Sequence, residues 1–441
     1  MNLGRMDLRA GIVSLLGNRR GHVFALILFY VLLLVEYYRF VYGNYFFLMG
    51  FDFRFSLVAF LSGLLMLVAV VAMLDAVGSR SDRLYAMGVV VAVFFCLPQI
   101  VFFQIGGAQP YGVLYSLLLL FLVTTPWWAL PSPRMPRLPD RCLWWLLPLL
   151  ALGTMAPFVA TYGFSFNLHQ FTLGQDIYEA RTAAGAKGTV VTAYLMGPLV
   201  RVILPFMAVY GLCRLRRRWW MVALSLAITL YLFFVNPQKS ILFIMGLVVV
   251  CFFLRNCFAK AGLMIYGMLT ICAASVVLNS FAGAMMPESI MVRRLFFIPA
   301  LVQDTYFTFF EHHPMLLSHS CLSPLFDYPY RIDPSHLIGQ MIYNRTITSC
   351  NTGLIGDGFM NFGHVGALLF TATAALIIRF VDATCFDSRY FGLVAVLLVT
   401  FLNGALFTTM LTHGGLLLVL AFLFLVPSHA VTNPVKAIPQ T

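Results

Sequence analysis

The sequence predicts an all-α, polytopic integral membrane protein of about twelve transmembrane helices. Three observations carry this. Apolar side chains make up 61% of the 441 residues and charged ones only 10%, a balance that no soluble core can bury. The apolar residues gather in runs near the roughly 20 needed to cross hydrocarbon as a helix. Basic residues concentrate in alternate connections between those runs, as the positive-inside rule requires.

Taken in order, the runs are 22–40, 55–77, 84–103, 111–130, 142–162, 189–212, 219–235, 240–254, 261–283, 361–381, 390–408 and 412–427. The first is long and lacks a small-residue cleavage site, so it reads as an anchor rather than a cleavable signal. Glycine and proline inside several runs are tolerable where neighbouring helices re-satisfy the backbone. The seventh and eighth runs are short and meet at the turn Asn236-Pro237-Gln238-Lys239-Ser240. No soluble domain, coiled coil or internal repeat interrupts residues 1–441, which read as one polytopic domain. Two longer polar connections stand out, a smaller loop at 164–188 and a large one at 284–357. Within the large loop, Met291 to Phe310 carries an apolar and aromatic stripe suited to a helix lying on or dipping into the bilayer surface. Pro314, Pro324, Pro329 and Pro334 then mark an irregular region.

A net charge of +12 suggests nucleic acid until its placement is read. With the N-terminus inside, eighteen of the 28 basic residues fall in cytoplasmic segments, so the basicity is mostly topological and no nucleic-acid partner is expected. The cluster Arg214 to Arg218 reads as a topogenic stop, with contact to anionic lipid as the other use of such a cluster. Arg39, Arg54, Arg181, Lys187, Lys239, Arg293, Arg294, Arg331 and Arg345 lie outside, and Arg201 lies within the sixth span. Topology disfavours outside arginines, so they ask for another reason.

Nine cysteines without CxxC spacing speak against zinc and redox motifs. Cys321 and Cys350 both fall in the large loop and either pair across it or remain two thiols.

Arg181, Lys239 and the Arg293-Arg294 pair arise from three separate outer connections. Arginine matches phosphate oxygens with a planar fork and lysine with a point charge, so together they suit a lipid-linked diphosphate at the membrane border. The competing use is headgroup contact, or pairing with Asp176, Glu179, Asp304 and Glu311. Lys239 sits on a turn between short helices, where it either meets an anion in a wet cavity or snorkels to the surface. Asp304, Glu311, His312, His313, His319, Asp327, Asp333, His336 and Asp357 are all able to accept a hydroxyl proton if positioned for it. The His312-His313 doublet lacks metal-ligand spacing, and no metal or other cofactor is expected. The stretch Cys350 to Gly366 holds five glycines together with Asn351, Asp357 and Asn361, which fits close helix packing or a sugar-contacting edge.

In order along the chain, Phe164-Ser165-Phe166 opens the first loop, and Arg181 precedes a small-residue stretch. A short aromatic hairpin then turns on Gln238-Lys239, Arg293-Arg294 leads to Pro299, and an Asn/Gly-rich approach runs from Asn351 to Gly366. This ordered set, over about Phe164 to Ala367, resembles the Wzy-type O-antigen polymerases. The resemblance implies a metal-independent glycosyltransferase in the bacterial inner membrane, with its site facing the periplasm. The growing glycan on undecaprenyl diphosphate is then the donor, and the non-reducing end of a second lipid-linked repeat unit is the acceptor. It implies arginine roles for Arg181, Arg293 and Arg294, with Lys239, Gln238, Asn351, Asp304 and His319 as substrate contacts. Membrane lipids and a chain-length regulator protein are the expected partners. Some members carry a glycine eleven residues after each loop arginine; here those positions are Thr192 and Asp304. An O-antigen ligase, or a flippase or transporter of lipid-linked oligosaccharide, is the alternative.

Overall fold

A computed structural model describes residues 16–133, 135–164, 184–254, 256–320, 325–345 and 347–426. Among them the chain is helical without strands, as a polytopic membrane protein should be. Eight helices among the described residues are long and apolar enough to cross a membrane: α1 (Arg19–Tyr45), α2 (Leu57–Gly78), α3 (Asp82–Ile105), α5 (Asp140–Tyr162), α6 (Val190–Cys213), α7 (Arg218–Val235), α9 (Cys257–Ala282) and α12 (Leu354–Ala383). Four shorter apolar helices, α4 (Tyr111–Thr124), α8 (Lys239–Phe253), α13 (Ser388–Asn403) and α15 (Gly415–Phe424), match the remaining predicted runs. Between them lie α10 (Ile298–Phe310), α11 (Pro334–Tyr343) and the short α14 (Leu406–Leu411).

The chain divides into two compact units. The first holds residues 1–127, 254–376 and 394–409, and the second holds 128–253, 377–393 and 410–441. In the first unit α3 is the central helix: 94% of its apolar stretch is buried, against 22% for α2. It packs against α2, α4 and α9. Ser81 starts α3 by accepting the Leu84 N–H, which satisfies one of the orphan amides of a helix start. In the second unit α6 packs against α5, α7 and α8.

Among the described residues, three of the four π-helical turns share one cause. Ala92–Cys96, Leu199–Ile203 and Ser289–Phe297 are each followed two residues later by a proline, Pro98, Pro205 and Pro299 respectively. Proline has no N–H to donate to the carbonyl four residues back, so a regular turn loses a bond there. A wider turn accommodates the loss, and such bulges recur at functional sites. Two of the three carry arginines: Arg201, and the Arg293-Arg294 pair.

The apolar face of 291–310 is taken up by protein. Val292, Phe296, Phe297, Leu301, Phe307 and Phe310 are buried, and the segment packs against α3, α4 and α9. The stripe expected on the bilayer surface thus faces the interior of the first unit, because aromatic residues at helical spacing serve either environment.

α12 is broken. Phe362 leaves helical geometry and Gly363 takes φ +59°, so the helix ends at Asn361 and resumes at His364. The two halves touch through glycines: a Cβ built on Gly358 would lie 2.5 Å from the Gly366 carbonyl oxygen. Close packing is what the glycines of this stretch provide.

Candidate functional site

In the first unit the Arg293-Arg294 pair occupies the wide turn that leads into α10, and the turn separates the two side chains. Arg293 is buried, 7% exposed, whereas Arg294 is exposed. The Arg293 guanidinium lies over the Tyr45 ring at 4.0 Å from its centroid. It also donates to Ser289 Oγ from Nε and Nη2, at 3.2 and 3.0 Å. Tyr45 in turn donates its hydroxyl to Ser289 Oγ at 3.2 Å. Tyr343, from the end of α11, hydrogen-bonds Arg293, and both arginine charges act on it. Burial raises the Tyr343 hydroxyl above its ordinary value, and the two guanidinia offset part of that rise. Arg293 is therefore held by an aromatic face and hydroxyls, while Arg294 carries its charge to the surface beside it.

One turn earlier lies a cluster that the sequence reading missed. Glu288 is fully buried and receives Arg39 through Oε1 at 2.5 Å. Arg39 also holds both oxygens of Glu36, at 2.9 Å each. The Glu36 carboxyl and Asn279 also act on Glu288. Two carboxyls this close to each other share a proton more readily than they ionise together. Burial first, and the Glu36 carboxyl second, push Glu288 well above the usual carboxylate range. Arg39 thus bridges two carboxyl groups that share one cation, one turn before the Arg293-Arg294 pair. A signal for the cluster was present: Glu36 and Arg39, one helical turn apart, interrupt the end of the first apolar run.

The remaining predicted contacts do different things. Asp304 accepts the Gln109 backbone N–H at 2.8 Å and ties α10 to the loop before α4. Burial raises its carboxyl to about 6 despite that bond. It is an internal brace, a role that polarity in a loop does not distinguish from substrate contact. His319 is exposed, with its ring 6.3 Å from Tyr328. Asn351 is exposed at the approach to α12. Asp357 and Asn361 are instead buried in the break of α12. Asp357 accepts the Asn361 Nδ2 amide at 3.0 Å and the Leu406 N–H at 3.2 Å. Asn361 Oδ1 accepts the Leu317 N–H at 2.9 Å. Their donors and acceptors hold the break together, which leaves Asn351 as the polar edge of this stretch.

In the second unit Lys239 is half-buried at the first residue of α8, and Gln238 directly precedes it. No ion pair engages Lys239 among the described residues. Arg181 and the Phe-Ser-Phe start beyond Phe164 lie outside the described residues, as does Cys321. Cys350 carries a free thiol, with Tyr306 donating to its carbonyl at 3.1 Å. Among the described residues no group of acids, histidines and cysteines is arranged to hold a metal.

No protein-family model, curated protein or solved structure matches this chain.

Proposed function

We propose that this chain is a multi-pass glycosyltransferase of the O-antigen polymerase type in the bacterial inner membrane. In this reading it moves a growing glycan from undecaprenyl diphosphate to the non-reducing-end hydroxyl of a second lipid-linked repeat unit at the periplasmic face. The observation that carries the reading is the division of labour at the proline-triggered turn. Arg293 is braced by Tyr45, Ser289 and Tyr343, and Arg294 is presented at the surface beside it. A diphosphate is already a good leaving group, so orienting it and neutralising its developing charge is the main work required. Arg294 is the group that meets the diphosphate, and Arg293 positions it. Lys239, Gln238, Asn351, His319 and Arg181 remain candidate contacts to the glycan or the carrier.

The decisive experiment uses the purified protein reconstituted with lipid-linked repeat units. A ladder of glycan lengths that collapses to single units in Arg294→Ala supports polymerisation, and transfer only to a lipid A core indicates a ligase instead. A transport reading is favoured by one specific feature, the broken α12 with Asp357 and Asn361 buried in its break, since discontinuous helices recur in transporters. Translocation of the lipid-linked unit without any ladder would establish that reading.

A further inference from the structure

We infer that Arg201 and His413, in the second unit, form an oxyanion site inside the membrane domain that takes a phosphate group. Arg201 lies halfway along α6, on the wide turn Leu199–Ile203. Among the described residues it makes no hydrogen bond and no ion pair, and its charge acts on the His413 imidazole. A guanidinium within a spanning segment is costly to leave alone, and such residues ordinarily face a partner or a functional cavity.

The acids of this unit are engaged elsewhere. Among its described residues there are three: Asp140 is paired with Arg214, Asp387 is paired with Arg389, and Asp382 acts on Arg379. Among the described residues none is left for Arg201.

The backbone brings His413 to the turn. A Cβ on Gly197 would lie 2.3 Å from the Thr412 carbonyl oxygen and 2.9 Å from His413 Cα. A Cβ on Gly414 would lie 2.9 Å from Pro198 Cα and 3.0 Å from Val202 Cγ2. Only glycines allow the loop and the helix to meet this closely. His413 Nδ1 is shut off from solvent and has no hydrogen-bond partner among the described residues. Gly414, at φ +85°, then starts α15 without a side-chain cap. A guanidinium fork and an imidazole nitrogen without partners among the described residues, and a helix start without a side-chain cap, are three features that an oxyanion satisfies together.

The phosphate comes from a lipid carrier, from a bilayer phospholipid or from solution. The inference rests on the proposed function only for the carrier's identity. The test uses the full-length, delipidated protein carrying Arg294→Ala, so that the first unit's arginine does not contribute. Binding of farnesyl diphosphate, phosphatidylglycerol in mixed micelles and inorganic phosphate is measured by native mass spectrometry and titration. At least one of the three should bind, and which one binds most tightly identifies the source. Arg201→Met should weaken that ligand at least tenfold, His413→Gln should weaken it less, and Arg201→Lys should retain part of it. The ligand-free Arg201→Met protein should melt no lower than its parent, since it sheds an unpaired charge. Binding of all three probes equally by the parent and by Arg201→Met, or no binding by the parent, overturns the site. If Arg201→Met fails to fold, Arg201→Lys decides, because unchanged affinity there also overturns it. Loss of the glycan ladder is read separately and bears on the proposed function alone.

Discussion

Arg293 rests on Tyr45, its guanidinium carbon 4.0 Å from the ring centroid, while the next residue, Arg294, is exposed. Two adjacent and chemically identical side chains therefore sit in different surroundings. Substitution should separate them. Arg293→Ala removes a buried cation from an aromatic face and from Ser289, so it should lower stability by about 2–4 kcal/mol. Arg294→Ala should leave the melting temperature within a degree or two and abolish long glycan chains. Thermal unfolding in detergent, read beside glycan length on gels, checks both. Arg294→Lys should restore chains only in part, because the ammonium keeps the charge and loses the fork.

The membrane architecture was legible in the sequence because each span is spelled by consecutive apolar residues. All twelve predicted runs became apolar helices. The site was legible only in part. Arg293-Arg294 stood out as charge at a border, but which of the two is buried depends on the turn set by Pro299. Arg39 and Glu288 are 249 positions apart, and no local pattern announces that they meet. Asp357 and Asn361 looked like a sugar-binding edge because polar residues beside glycines serve equally for binding and for tying a helix break. The break itself had a signal, since Phe362-Gly363 follows an asparagine four residues after an aspartate. That spacing lets Asn361 reach back to Asp357.

Asp357→Ala should therefore act on folding more than on substrate. It would strand the Leu406 N–H in a buried place and leave the Asn361 amide only the backbone carbonyl of residue 357, at a cost of about 2–4 kcal/mol. Asp357→Asn keeps one acceptor and should lose roughly half as much. Gly363→Ala forces a side chain into φ +59° and should cost about 1–2 kcal/mol. Denaturant or thermal unfolding ranks the three. A normal melting temperature with lost activity in Asp357→Ala would move this residue from structure to chemistry.

Asp304 gives a pH dependence with a definite sign. Its carboxyl is raised to about 6 by burial, so the folded protein holds that proton more tightly than the unfolded chain does. The contribution to stability is full below about pH 4, fades as pH rises toward 6, and is absent at neutral pH. Asp304→Asn keeps an acceptor for the Gln109 N–H and removes the buried charge. The variant should match wild type at pH 4 and exceed it by about 1–2 kcal/mol at pH 7.5. Melting curves across that range test it. Equal gains at both pH values would mean that packing, not ionisation, is responsible.

Pro299 is the residue through which the sequence sets the arginine geometry. Replacing it with alanine returns an N–H to α10 and lets the preceding nine-residue wide turn close toward regular α-helix. A regular helix of the same residues is rotated relative to the wide turn, so Arg293 leaves the Tyr45 face and Arg294 changes direction. Stability should hold or rise by about 1 kcal/mol, since alanine favours the helix, unless the displaced Arg293 offsets the gain. Glycan chains should shorten although both arginines are still present. The informative measurement is hydrogen exchange over 285–310 together with chain length. Faster exchange with unfolding would indicate a broken helix, whereas slower exchange with short chains indicates that the position of Arg294, and not its charge alone, sets the length of the product.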